Sequence, residues 1–136
     1  MIALALLAML VATAQASLDS DEGCQTPVAR QICEASVQVD EIDKRMKLVF
    51  AVALAKAKQA EIADHREYPG FDDGDTYDGA LVQSQRAWEG YADKQCDLEA
   101  MDFRHGTAKN LRGLQCYLRL AKERLAYLKA ATESNR

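Results

Sequence analysis

The sequence predicts an all-α fold, an antiparallel helical hairpin with a third helix packed on it, and three observations point there. Apolar residues recur at three- and four-residue spacing through three long segments. No stretch alternates apolar and polar residues as a half-buried strand does, and no internal repeat is visible. Only two short segments, residues 68–79 and 104–110, have the composition of connections. A chain of 136 residues of this kind makes one domain with a modest core.

Ahead of the helices stands MIALALLAMLVATAQA, residues 1–16, uncharged and nearly all apolar. It ends in Ala14-Gln15-Ala16, the small-x-small pattern at which signal peptidase cuts. The run falls short of the roughly 20 residues that a membrane span needs. It reads as a signal peptide, with 17–136 as the single domain and no membrane anchor after cleavage. No Lys or Arg precedes the run, its one departure from the usual pattern. Cleavage removes no charged side chain, so the formal net charge stays at −4. That balance disfavours nucleic acid, which selects basic patches. It suits a basic partner, and it also suits ordinary solubility.

The first helix opens at Thr26-Pro27, a capping residue followed by proline at the first helical position. Its apolar face runs through Ile32, Val39, Met46, Ala53 and Ala60, with Ala35, Ile42, Val49 and Phe50 beside them, to about His65. Pro69-Gly70 stops it. The loop YPGFDDGDTYDG, residues 68–79, leads into a second helix from about Gly79 to Phe103. Its broad face is Leu81, Trp88, Tyr91, Ala92, Leu98 and Phe103. After the turn at 104–110, a third helix spans about Leu111 to Ala131. Its stripe of Leu111, Leu114, Leu118, Ala121, Leu125 and Leu128 is the cleanest in the chain.

Four cysteines, Cys24, Cys33, Cys96 and Cys116, read as two disulfides in a small exported chain. Cys24 follows Asp21-Glu22-Gly23, without the small apolar run that precedes a lipid-modified cysteine, so the exported form is expected to be soluble, periplasmic or secreted. No CxxC occurs and His65 and His105 lie far apart, so no metal or other cofactor is expected. If the helix starts at Thr26, seven helical residues separate its start from Cys33 by about 10 Å. A disulfide needs Cα atoms about 4.4–6.8 Å apart. That disfavours a local Cys24–Cys33 bridge, and the expected pairing is Cys33–Cys96 with Cys24–Cys116; other pairings stay open.

The motif pattern is C-x8-C, Asp-x-x-apolar-x-x-x-aromatic, Q-x-x-W-x-x-Y-x-D-x-x-C, Gly-Thr and C-x7-R-x3-L. It is carried by Cys24, Cys33, Asp43, Met46, Phe50, Gln85, Arg86, Trp88, Tyr91, Asp93, Cys96, Gly106, Cys116, Arg124 and Leu128. This pattern resembles the LprI-like lysozyme-inhibitor family, small exported bacterial proteins with an all-helical domain, over about residues 24–128. The chain departs from that family at Ala92, where an arginine is usual, at Lys47 for an asparagine and at Ala121 for a threonine. Its 68–79 loop is longer and more acidic. The resemblance implies a protein-binding module that inhibits lysozyme by steric and electrostatic occlusion and is not an enzyme. The alternative is a structural or envelope-stress interaction protein.

Trp88 follows Leu81 and Gln85 and precedes Ala92 and Cys96 at helical steps, which makes it a core anchor beside a disulfide. Asp43, Asp93 and Arg124 lie next to apolar stripes, and a buried charge needs a partner, so an Asp–Arg bridge across helices is expected. With Gln85 and Tyr91 these complete the structural motif. No nucleophile, base and orienter assemble. Glu89 and Asp93, four apart, read as a solvated face. The loop aspartates Asp72, Asp73, Asp75 and Asp78 fail the EF-hand register, since counting from Asp73 puts Asp78 where glycine belongs and Ser84 where glutamate belongs. They are the expected partner-binding residues, able to steer a basic protein such as lysozyme.

Overall fold

The computed structural model describes residues 22–133, and the expected signal peptide lies outside them. Three helices form the molecule, α1 (Pro27–Glu67), α2 (Tyr77–Ala100) and α3 (Ala108–Glu133), with 3-10 turns at Glu22–Cys24 and Met101–Phe103. No strand occurs among the described residues. The expected all-α hairpin with a third packed helix is the observed fold.

Local chemistry sets the helix ends. Thr26 Oγ1 accepts the Ala29 N–H at 3.1 Å and Pro27 occupies the first turn. At the other end the Tyr68 N–H donates to the Asp64 carbonyl at 2.8 Å. Gly70 then takes φ +91°, a left-handed conformation that glycine adopts without strain. α2 starts two residues earlier than the loop composition suggested, because Thr76 is its cap and accepts from the Gly79 N–H at 3.1 Å. A Cβ at Gly79 would stand 2.7 Å from that same Thr76 oxygen, so a side chain there requires the Thr76 hydroxyl to shift.

Four cross-helix contacts fix direction and register. Tyr77 N–H donates to Glu61 Oε2 at 2.9 Å, and Gln85 Nε2 meets Met46 Sδ at 3.6 Å; α2 therefore runs back along α1. Tyr117 Oη donates to Asp43 Oδ1 at 2.7 Å and Lys56 Nζ donates to the Thr132 carbonyl. Advancing along α1 thus advances along α3, and these two helices are parallel. Their buried residues, Ala35, Ile42, Met46 and Ala53 on α1 and Leu118, Ala121, Leu125 and Leu128 on α3, follow alternating three- and four-residue steps once partly buried Val39 and Val49 are included. That spacing suits helices crossing at shallow angles. A second buried group, Ala92, Cys96, Cys116 and Leu120, joins α2 to α3, and Trp88 and Tyr117 pack against both groups.

The disulfides are Cys24–Cys33 and Cys96–Cys116, with Cα separations of 6.3 and 5.4 Å. This corrects the expected Cys33–Cys96 and Cys24–Cys116 pairing. The 3-10 turn at Glu22–Cys24 folds the chain back beside the first turns of α1, so the rise counted from Thr26 overstates the separation of Cys24 from Cys33. Cys96 and Cys116 face each other across antiparallel α2 and α3. The broad α2 face is also narrower than expected: Tyr91, Leu98 and Phe103 are exposed. Only the line Leu81, Gln85, Trp88, Ala92, Cys96 and Ala100 turns inward, because two neighbouring helices cover only one stripe of a third.

Past Ala53 no residue of α1 is buried, and α2 reaches the core only from Leu81, which with Trp88 packs against it. Lys56 already meets the end of α3 at Thr132. The remainder of α1, the loop and the start of α2 therefore form a two-helix arm beyond the three-helix body. No described helix is long and apolar enough to cross a membrane.

Candidate functional site

Two surfaces carry the residues singled out by sequence. The first is a groove of about 270 Å³ among all three helices, lined by Asp43, Met46, Lys47, Phe50, Gln85, Trp88, Glu89 and Tyr117. Its aromatic wall is Trp88 and Tyr117, with ring centroids 6.1 Å apart and planes at 52°, within the range of favourable aromatic pairs. The Tyr117 hydroxyl donates to Asp43 Oδ1 at 2.7 Å. Burial first, then that bond and the charges of Asp43 and Glu89, push the Tyr117 phenol well above its ordinary value. The hydroxyl is a fixed donor at neutral pH.

Behind the groove a polar relay sets Gln85. Arg124, only 9 % exposed, donates from Nε to Gln85 Oε1 at 3.0 Å and from Nη2 to Ser84 Oγ at 3.1 Å. Its guanidinium stands 5.2 Å from the Tyr127 ring centroid, within cation–π range. With its oxygen held by Arg124, the Gln85 amide turns Nε2 toward Met46 Sδ and toward Glu89 Oε1 at 3.2 Å. Burial pulls the Arg124 guanidinium down from its ordinary value, and the Tyr127 and Glu89 interactions pull it back. Guanidinium pKa values are high enough to keep the charge.

The expected Asp–Arg bridge is not what holds these charges. Asp43 is bonded by Tyr117, Arg124 by an amide and a hydroxyl, and Asp93 pairs with Lys94 on the surface at 3.1 Å. That surface bond raises the Lys94 ammonium above its usual value. Neutral partners suffice for Arg124 because a cation needs hydrogen-bond acceptors, and Gln85 and Ser84 supply them. Ala92, where the family resemblance implies an arginine, is fully buried against Cys96, Cys116 and Leu120.

The second surface is the arm's tip. Residues 68–77 are all exposed. Asp72 Oδ1 accepts the Gly74 N–H at 2.9 Å and Asp73 Oδ1 accepts the Asp75 N–H at 3.1 Å, two side-chain-stabilised turns. Gly74 takes φ +83°. Asp78 is half-buried in the first turn of α2. Tyr68, Phe71 and Tyr77 are 55, 62 and 52 % exposed, so the tip presents aromatic rings among its carboxylates. Among the described residues no three His, Cys, Asp or Glu side chains come close enough to hold a metal ion.

Of the sequence-predicted residues, Asp43, Gln85 and Trp88 converge on the groove, Arg124 supports it from behind, and Tyr91 and Asp93 stand apart on the surface. Trp88 is half-buried and shared between core and groove, not sealed in the core. Glu89 is exposed, as expected of a solvated face, and also lines the groove, while Tyr117 lines it without a signal in the sequence. Tyr117 adjoins Cys116, but only the parallel register of α1 and α3 brings it to Asp43.

The family model described as lysozyme inhibitor LprI matches residues 21–128. The chain belongs to the LprI family. It is also 31 % identical, over 137 residues covering 96 % of this chain and 94 % of the relative, to an uncharacterized protein of Rhizobium meliloti (strain 1021). No solved structure matches it. The LprI match spans all four cysteines, the groove and the arm.

Proposed function

We propose that this LprI-family protein is exported and inhibits a lysozyme-type muramidase by occlusion, inserting the acidic tip of its arm into the partner without chemistry of its own. The observation that carries this reading is the exposed tip, in which Asp72, Asp73 and Asp75 stand beside Tyr68, Phe71 and Tyr77. Carboxylates steer a basic partner. Exposed aromatic side chains supply the buried area on which tight interfaces depend. Two disulfides fit an oxidising compartment outside the cytoplasm.

The test is lysis of bacterial cell walls by lysozyme in the presence of residues 17–136. The expected result is inhibition that weakens as salt rises. A variant with Asp72, Asp73, Asp75 and Asp78 all changed to Asn should lose at least tenfold in potency, about 1.4 kcal/mol. Full potency in that variant, or no inhibition by the wild-type protein at low salt, overturns the reading.

A further inference from the structure

We propose that the groove between the three helices binds the guanidinium group of an arginine side chain from a protein partner, held against the aromatic wall of Trp88 and Tyr117 and hydrogen-bonded by Asp43 and Glu89. The size of the groove is the first reason. At about 270 Å³ it falls just below the roughly 300 Å³ at which sites for whole small molecules begin, and one long side chain suits it better than a sugar or a nucleotide. Its walls are the second. Trp88, Tyr117 and Phe50 offer aromatic surface, and the faces of Trp and Tyr attract cations, arginine more often than lysine.

The third reason is which hydrogen-bonding capacity is left over. Both ends of the Gln85 amide are already engaged, by Arg124 on one side and by Glu89 and Met46 on the other. Asp43 and Glu89 each have one carboxylate oxygen engaged, by Tyr117 and Gln85, and the second oxygen of each has no hydrogen bond among the described residues. The groove therefore offers charged acceptors beside aromatic faces, the combination a planar guanidinium satisfies with several N–H donors at once. Lys47 is the one lining cation, exposed and without an ion pair among the described residues. It lowers the affinity of the groove for a second cation. That the partner is a lysozyme rests on the inhibitor reading; the preference for a cation does not.

Trp88 is the only tryptophan in the chain, so its fluorescence and its indole N–H resonance come from a residue that lines the groove. The folded wild-type protein is titrated with N-acetyl-arginine amide and, in parallel, with the neutral citrulline counterpart of the same shape. The arginine compound should give a saturable change in Trp88, with the citrulline compound at least tenfold weaker. Glu89 is exposed, so Glu89→Gln keeps the fold and should weaken arginine binding about threefold, while Lys47→Asn should strengthen it by a similar factor, the size of one exposed charge interaction. Equal response to both compounds, or no response in either wild type or Lys47→Asn up to the solubility limit, overturns the proposal. So does binding left unchanged by both substitutions. No lysozyme is present in this titration, so a failed cell-wall assay with a positive titration removes the named partner and leaves the groove, and the reverse result removes the groove alone.

Discussion

From Ala35 to Ala53 the inward face of α1 is buried in the three-helix body, and side chains such as Met46, Leu125 and Leu128 are buried between helices. Beyond Lys56 the same helix continues for three turns with no buried residue, beside the opening turns of α2. The body is held by packing shared among three helices, whereas the arm is held by local bonds: the Thr76 cap, the Glu61–Tyr77 bond and the turns closed by Asp72 and Asp73. Within one chain, then, the buried core and the exposed acidic loop fall in different stretches. The core tolerates little change, and the tip can vary its charge without touching it.

The sharpest test of this division is one cavity in each region. Leu128→Ala removes a fully buried side chain and should cost about 3–5 kcal/mol. Ile62→Ala on the arm, where the side chain is 45 % exposed, should cost less than about 1 kcal/mol by area. Urea unfolding midpoints read both, and similar losses would mean that the arm has a core of its own.

The disulfides come next. The Cys96–Cys116 bridge closes a separation of 20 residues and lies in the core, while Cys24–Cys33 closes 9. Chain entropy alone gives about 3.3 and 2.6 kcal/mol respectively. Replacing both cysteines of a pair by alanine should therefore lower thermal stability more for the core bridge. The gap widens because residues ahead of Pro27 contribute little to the core. A larger loss from the Cys24 pair would break the ranking.

Tyr117→Phe should cost about 1–2 kcal/mol, the loss of a partly buried hydrogen bond to a charged acceptor. It also changes the alkaline limb. The folded Tyr117 phenol lies above its unfolded value of about 10. Its contribution is therefore fully present below pH 10 and is lost as pH rises through the folded value. Above pH 10 the wild type should lose stability faster than the phenylalanine variant, as followed by circular dichroism. Parallel curves would show that Tyr117 ionises as freely folded as unfolded. The smallest effect belongs to the tip: the fourfold Asp→Asn variant should change stability by less than about 1 kcal/mol, since asparagine keeps the turn-forming acceptor and only the helix-dipole term at Asp78 is lost.

Periodicity within single helices was easily read in the sequence. The α3 stripe from Leu111 to Leu128, the Thr26-Pro27 start and the Pro69-Gly70 stop are all intrahelical or local signals, and the fold class follows from them. What depends on two helices at once was not legible. Pairing Cys24 with Cys33 required a 3-10 turn that no periodicity announces. Bringing Asp43 to Tyr117, 74 residues apart, required the relative slide of α1 and α3. The place of Arg124 beside the stripe signals a buried charge, but its acceptors, Ser84 and Gln85, are neutral residues on another helix and carry no charge signal. The exposed aspartates of the tip were legible because a loop's composition needs no partner to interpret.

The bridge from Cys24 to Cys33 fixes where the chain enters α1, at the end of the molecule opposite the arm. α1 has 41 residues, about 60 Å at 1.5 Å per residue. The disulfide-bonded entry of α1 and the exposed tip of the arm therefore lie at opposite ends of one helix. The distance between those two ends is set by the length of that single helix.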